Sequence, residues 1–238
     1  MVSVITCTFR DHCMANIFQN YEQQKVEEKE LIIVLNKDEM NKEKWEEEAK
    51  KYEDVIIYQL SEATSLGECL NFALQKAKYD IIAKFDDDDY YGPDYLTESL
   101  TILATTNAQV VGKRSIYIYF TSRNLLGIYM PNCENRFINH QVSIKNRVVA
   151  GSTLVFNKSI FPHIQFPHLN LGEDTGFVHS CLNRNIPIYS GSRSNYVYFR
   201  NEQPKYHTSD ASNKRLLSRC KIVYRNKDFR TILDHGLI

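Results

Sequence analysis

Four consecutive aspartates, Asp86 to Asp89, stand between the apolar run Ile81-Ile82-Ala83-Lys84-Phe85 and the turn-forming Tyr90-Tyr91-Gly92-Pro93. Two carboxylates about 4 Å apart repel by about 4 kcal/mol at an effective dielectric near 20, so an acidic cluster at the end of a buried strand needs compensation. Two readings are open on these residues alone. Either a hard divalent cation such as Mg²⁺ or Mn²⁺ takes the carboxylate oxygens as ligands, or the cluster is a solvated acidic turn. A second acidic pair, Glu173-Asp174, follows Gly172 at an expected helix start, where its simplest role is to face the positive end of the helix dipole. Arg10 ends the first apolar run, and its planar guanidinium suits phosphate.

Strands and helices must hold these groups. Val2 to Phe9 reads as a strand and the stretch after Asp11 as a helix, while Leu31 to Leu35, Val55 to Leu60 and Tyr79 to Phe85 are three further short apolar runs. Between them, Met40 to Tyr52 carries Trp45 and Ala49 at helical spacing, and Leu66 to Ala77 places Leu70, Ala73, Leu74 and Ala77 on one face. Strands alternating with helices predict an α/β fold with a parallel sheet covered on both sides. Beyond Pro93 a helix is expected to about Thr105. Strand-like Gln109 to Phe120 and Val148 to Phe156 then flank an irregular stretch from Leu125 to Asn146. A helix over Glu173 to Asn183, strand-like Pro187 to Ser190 and Tyr196 to Arg200, and a helical tail from Ser212 to Asp228 complete the reading.

Ligands of open parallel sheets bind beyond the carboxyl ends of the strands, which gathers Thr6 to Arg10, Asn36 to Asp38, Ser61 to Thr64 and Asp86 to Asp89 along one edge as a nucleotide cleft. No glycine-rich turn follows the first strand, so the dinucleotide fingerprint and the Walker phosphate loop are both missing. A diphosphate in this cleft would need a cation.

Composition narrows the function classes. The 238 residues carry 29 basic and 29 acidic side chains, and no extended basic block supports nucleic-acid binding through phosphate neutralisation. Six scattered cysteines form no Cys-x-x-Cys pair, which points to reduced thiols of a cytosolic protein acting as small apolar residues. The apolar start lacks a basic leader, and no later run reaches membrane-spanning length, so a soluble protein is expected.

The opening Val2 to Arg10, the segment Asp86 to Asp94, Gly151 to Phe156, and Gly172-Glu173-Asp174 occur in the order and spacing of one family. Over roughly the first 200 residues the chain resembles family 2 glycosyltransferases of the GT-A fold. The resemblance implies a Rossmann-like, mostly parallel central sheet flanked by helices, with a smaller mixed β region in the second half. It implies one domain over residues 1–238: a nucleotide-sugar-binding half at about 1–106, an acceptor-binding half at about 107–205 and a tail at about 206–238. The implied activity is inverting, metal-dependent transfer of a sugar from a nucleotide-sugar, a UDP-sugar first of all, to a hydroxyl acceptor such as a cell-surface glycan.

The family's DXD motif maps onto Asp86, Asp87 and Asp88, with Asp88 as direct ligand of Mn²⁺ or Mg²⁺ and Asp86 reaching ribose or metal-bound water. Asp89 would cap the next helix or orient a partner. Thr6, Thr8, Phe9 and Arg10 would contact base and ribose, although for Thr6 ordinary strand packing is an equal reading. Asn71 would stand at the turn before the helix that follows the third strand, or merely satisfy local backbone groups. Asp174 would be the general base, Glu173 would hold the acceptor or backbone, and Gly151 and Ser152 would line the acceptor site. Arg200 would pair with phosphate and His207 would bind phosphate or complete the metal shell. The chain departs from the family at Asn36-Lys37-Asp38, where many relatives carry an acidic pair, and leaves only Asp38 for the ribose. Leu31 to Lys37 and Lys84 to Pro93 further resemble the glycosyltransferase domains of spore-coat maturation proteins, implying the mother-cell cytoplasm or the spore surface. The alternative is a catalytically silent carbohydrate-binding or spore-surface structural protein that keeps this fold.

Overall fold

The computed structural model describes residues 1–138, 149–201 and 212–225. In its first half β1 (Val2–Thr8), α1 (Met14–Glu22), β2 (Lys29–Leu35), α2 (Lys42–Ala49), β3 (Val55–Gln59), α3 (Leu66–Lys76) and β4 (Ile81–Lys84) alternate as the periodicity predicts. The short β5 (Tyr90–Tyr91) and α4 (Tyr95–Thr105) follow. The second half contains β6 (Val110–Gly112), β7 (Ile116–Phe120), β8 (Leu125–Tyr129), β9 (Arg136–Phe137), β10 (Val155–Asn157), α5 (Glu173–Asn183), β11 (Ile188–Ser190), β12 (Tyr196–Arg200), α6 (Asn213–Leu217) and β13 (Cys220–Arg225).

Eight strands form one sheet in the order β3-β2-β1-β4-β10-β6-β11-β9. The β3-β2-β1-β4 half is parallel, β10 runs antiparallel between β4 and β6, and β9 closes the far edge antiparallel to β11. The remaining strands make a second, mixed sheet, β13-β8-β7-β12-β5.

Alternation along the central strands explains why both faces of the large sheet are covered. Val2, Val4, Leu31 and Ile33 pack with Phe18, Tyr21, Trp45 and Tyr95 on the side of α1, α2 and α4. Their neighbours Ile5, Ile32 and Val34 pack with Leu70, Leu74 and Phe177 on the side of α3 and α5. Local signals start the helices: Asn41 caps α2 by accepting from the Lys44 N–H at 3.0 Å, and Ser65 with Glu68 forms a capping box on α3.

Four second-half expectations are corrected. Gln109 to Phe120 is two strands in different sheets, because Lys113 and Arg114 break the run and carry the chain from one sheet to the other. Within Val148 to Phe156, residues 151–153 form a 3-10 turn, and only the end of the segment is strand. Leu125 to Asn146 contains two strands, β8 and β9, and the tail places a strand after a short helix. These strands gain their stability from cross-strand partners distant in the chain, such as Cys220 opposite Tyr129, and not from local propensity.

Candidate active site

A cleft of about 810 Å³ opens beyond the carboxyl ends of β1, β2 and β4. The acidic turn forms its floor. Asn16 and Asn20, one turn apart on α1, donate side-chain amides to the Asp87 and Asp89 carbonyls at 2.8–2.9 Å, and Asn20 accepts from the Tyr91 N–H at 3.1 Å. The Tyr91 hydroxyl accepts from the Asp86 N–H and donates to the Ser152 carbonyl, both at 2.7 Å, so it ties the acidic turn to the opposite wall.

Three of the four carboxylates, Asp86, Asp87 and Asp88, line the cleft and differ in exposure, while Asp89 lies outside the lining. Asp86 and Asp88 keep 37% and 25% of their side-chain surface exposed and line the cleft. Asp87 is buried, accepting from the Thr8 hydroxyl at 2.5 Å and from Arg10 Nε at 3.0 Å, with a second bond from Arg10 Nη2. Asp89 is fully buried and accepts from the Tyr196 hydroxyl at 2.5 Å and the Phe199 N–H at 3.1 Å. It therefore anchors β12 of the second sheet. The helix-capping alternative for Asp89 is corrected, since α4 begins after Asp94 with no side-chain cap.

Cations offset the cluster. Arg10 also reaches Asp88 from Nη1 at 3.0 Å, and Lys84 donates to Asp86. Burial raises the Asp88 carboxyl to about 7, helped by Asp87 and Asp86 and opposed by Arg10. Burial alone would lower the Lys84 ammonium, but Asp86, Glu173 and Asp174 together hold it above its ordinary value. Two cleft-facing carboxylates fit a hard divalent ion shared with a diphosphate, because such ions are held by one or two carboxylates with phosphate oxygens and water completing the shell. No group of three or more His, Cys, Asp and Glu is arranged to hold a metal by itself among the described residues.

Across the cleft, Gly172 begins α5 with φ at +87°, a left-handed conformation that glycine adopts without strain. Glu173 and Asp174 then occupy the first turn. Asp174 Oδ1 accepts from the Thr175 N–H at 2.5 Å, and its other oxygen lies against Gly151, where a Cβ would fall 1.7 Å from it. Glycine is required there by that close approach. Glu173 is buried, and burial lifts its carboxyl to about 7, with Lys84 opposing and Asp174 and Asp86 adding to the rise.

Of the site residues read from sequence, the structure brings Thr8, Phe9, Arg10, Asp86, Asp87, Asp88, Gly151, Ser152, Glu173 and Asp174 to this one cleft. Four others stand apart from the lining. Thr6 is buried inside β1, Asp38 is exposed and accepts from the Glu62 N–H at 3.3 Å, and Asn71 holds Phe166 through two backbone bonds at 2.8 and 3.0 Å. Arg200 is buried, bonded to Asn213 at 2.7 Å and the Tyr198 hydroxyl at 3.0 Å. His207 lies outside the described residues. Sequence reading missed Lys84, Asn16, Asn20 and Tyr91. A lysine inside an apolar strand was the one signal available for Lys84, and two asparagines at i, i+4 on a helix the signal for the amide grip.

Comparison with known proteins gives the family and the fold of the chain. Residues 3–165 match the family model described as Glycosyl transferase family 2. A search of curated proteins finds no match. Among solved structures, residues 1–349 of S. aureus TarS in complex with UDP-GlcNAc align with a TM-score of 0.69 and 18% identity, over 88% of this chain and 61% of that one. The same protein in complex with UDP gives 0.65 and 18%, over 87% and 62%. The mannosyltransferase PcManGT from Pyrobaculum calidifontis, in complex with GDP-Man and Mn²⁺, gives 0.59 and 14%, over 86% and 57%. The chain spans about three fifths of the length of these structures. At such identities the likeness is one of fold, and the fold, a large mostly parallel sheet with a second mixed sheet, is GT-A. No helix among the described residues is long and apolar enough to cross a membrane. Because the family match covers more than half of the 238 residues, the chain belongs to glycosyl transferase family 2.

Proposed function

We propose that this protein is an inverting, metal-dependent hexosyltransferase that moves a sugar from a nucleotide-sugar, a UDP-sugar first of all, to a hydroxyl of a glycan or other acceptor. The observation that carries the reading is the pairing of Asp86 and Asp88 on one side of the cleft with the Asp174 carboxylate on the other. Structures of the same fold were solved with UDP-GlcNAc, UDP and GDP-Man, which supports a nucleotide-sugar donor.

Asp88 and Asp86 would hold Mn²⁺ or Mg²⁺, which supplies positive charge for the diphosphate leaving group. Thr8 and Arg10 orient Asp87 and so fix the acidic turn, while exposed Phe9 offers a face for the base. Asp174 accepts the proton of the acceptor hydroxyl as that oxygen bonds to the anomeric carbon. The bond from that carbon to the diphosphate oxygen breaks on the opposite face, and its electron pair leaves with the nucleoside diphosphate. Attack opposite departure inverts the configuration. Glu173, beside Lys84, keeps the first turn of α5 in place, and Gly151 and Ser152 form the acceptor wall. The likeness of Leu31 to Lys37 and Lys84 to Pro93 to spore-coat maturation proteins extends the proposal to a surface or spore-coat glycan, made in the mother-cell cytoplasm or at the spore surface.

A panel of nucleotide sugars with Mn²⁺, read by release of nucleoside diphosphate, tests the reading. Release from one donor, lost in Asp174→Asn, is expected. A folded protein that releases nothing from any donor with glycan acceptors present contradicts it in favour of a silent carbohydrate-binding role.

A further inference from the structure

The acceptor end of the cleft carries a positive charge that nothing in the described structure matches. Arg114, between β6 and β7, lines the cleft, and its buried Nε has no hydrogen-bond partner. Other cations nearby are engaged: Arg10 with Asp87 and Asp88, Lys84 with Asp86, and Lys113 with Glu98. A buried guanidinium N–H without an acceptor is costly, because folding strips its water and returns nothing.

Arg114 has company. In the second sheet Ile116 pairs with Tyr129, and Tyr129 with Cys220. That register brings Arg114, two residues before Ile116, and Arg219, one before Cys220, to the same end of the sheet. Arg219 and Arg215 are exposed and line the cleft too, with Arg219 Nη1 3.5 Å from the Tyr129 hydroxyl. The chain also fixes which end of the cleft this is. The Lys113 carbonyl accepts from the Ala150 N–H and the Lys113 N–H donates to the Thr153 hydroxyl, both at 2.8 Å. Arg114 is thus one residue from the segment whose Gly151 abuts Asp174, on the side where the acceptor hydroxyl would lie.

We propose, resting on the transferase reading above, that the acceptor carries a phosphate or carboxylate close to the hydroxyl that is glycosylated, and that Arg114, with Arg215 and Arg219, holds that anion. The guanidinium fork matches either group with two parallel hydrogen bonds. A neutral sugar would leave it unmatched.

The test is calorimetry on the full chain with UDP and Mn²⁺ present, using glucose 6-phosphate, glucuronate and methyl glucoside as probes. The phosphate and carboxylate arms distinguish the two anions. At least one anionic probe is expected to bind alongside UDP, methyl glucoside to bind at least tenfold more weakly, and Arg114→Gln to weaken the anion at least tenfold while UDP affinity stays within about twofold. Because its guanidinium has no ion partner to lose, Arg114→Gln should unfold at the same temperature or higher. Should it fail to fold, the exposed double variant Arg215→Ala, Arg219→Ala is expected to weaken the anion at least threefold. Displacement of the probe by UDP, loss of UDP affinity in step with probe affinity, unchanged probe affinity in the variants, or no preference over methyl glucoside overturns the proposal. UDP that fails to bind at all, while the anion still depends on Arg114, sinks the transferase reading and leaves the anion site standing.

Discussion

The Asp174 carboxylate occupies the space that a side chain at residue 151 would need: a Cβ on Gly151 would lie 1.7 Å from Oδ2 and 2.2 Å from both Cβ and Cγ of Asp174. Contacts with Cβ cannot be relieved by a rotamer change alone, so the first turn of α5 must shift. Gly151→Ala is expected to cost about 1–3 kcal/mol in stability and to lower transfer at least tenfold, with UDP affinity unchanged. Asp174→Asn, which keeps the shape and removes the carboxylate proposed as the base, should lower transfer by about 10²-fold or more without the stability loss. Thermal unfolding and steady-state kinetics on the two variants separate packing from proton transfer. If Gly151→Ala retains full transfer, Asp174 does not need its observed position.

Glu173 makes apo stability depend on pH. Its carboxyl stands at about 7 in the fold, raised first by burial, against 4.5 as the ordinary value. Between those values the folded protein holds a proton that the unfolded chain has released, so this group's contribution falls as pH rises from about 4.5 to about 7 and is level above. The loss is on the order of 3 kcal/mol by pH 8. Glu173→Gln should unfold at a higher temperature than the parent at pH 8, and the difference should shrink by pH 5. A variant with the parent's full pH slope would remove Glu173 as its cause.

Asp89 is a structural anchor among functional-looking neighbours. Asp89→Ala takes an acceptor from the Phe199 N–H and from the Tyr196 hydroxyl, which keeps the Ser152 hydroxyl as a partner, and leaves a void where a fully buried carboxyl stood. The expected cost is about 2–4 kcal/mol, with Asp89→Asn costing less because an amide oxygen still accepts. Urea unfolding of both variants checks the order. Equal stability of Asp89→Ala and the parent would detach β12 from the acidic turn.

Much of the first half was legible because local signals and tertiary demands agree there. Leu31 to Leu35 is apolar at every position because both faces of its strand are covered, and Trp45 with Ala49 marks the one buried face of an otherwise charged helix. The helix expected over Glu173 to Asn183 coincides with α5, since two acids after a glycine mark its start. The second sheet was not legible. Its strands β8 and β13 pair across about ninety residues, and nothing local announces that partnership. In the site, four adjacent aspartates look equivalent in sequence. What divides them is the distant Thr8, Arg10 and Tyr196: Thr8 and Arg10 hold Asp87 buried in the cleft wall, Tyr196 holds Asp89 outside the lining, and Asp86 and Asp88 are left the more exposed.

Asp88 should matter more for ligand than for fold. Its side chain reaches Arg10 at 3.0 Å but crowds Asp87 and Asp86. Asp88→Asn is expected to leave the unfolding temperature equal or higher and to weaken Mn²⁺-dependent UDP binding at least tenfold. An unfolded variant whose remaining folded fraction binds UDP normally would make Asp88 a structural residue.

The reading of the acidic turn as a metal site rests on one comparison, the affinity for UDP with Mn²⁺ against that with chelator, measured by calorimetry on the parent protein. Without a cation, Asp86 and Asp88 repel the diphosphate; with one, they share it. At least tenfold tighter binding with Mn²⁺ is the expected result, and equal affinity under the two conditions would contradict it.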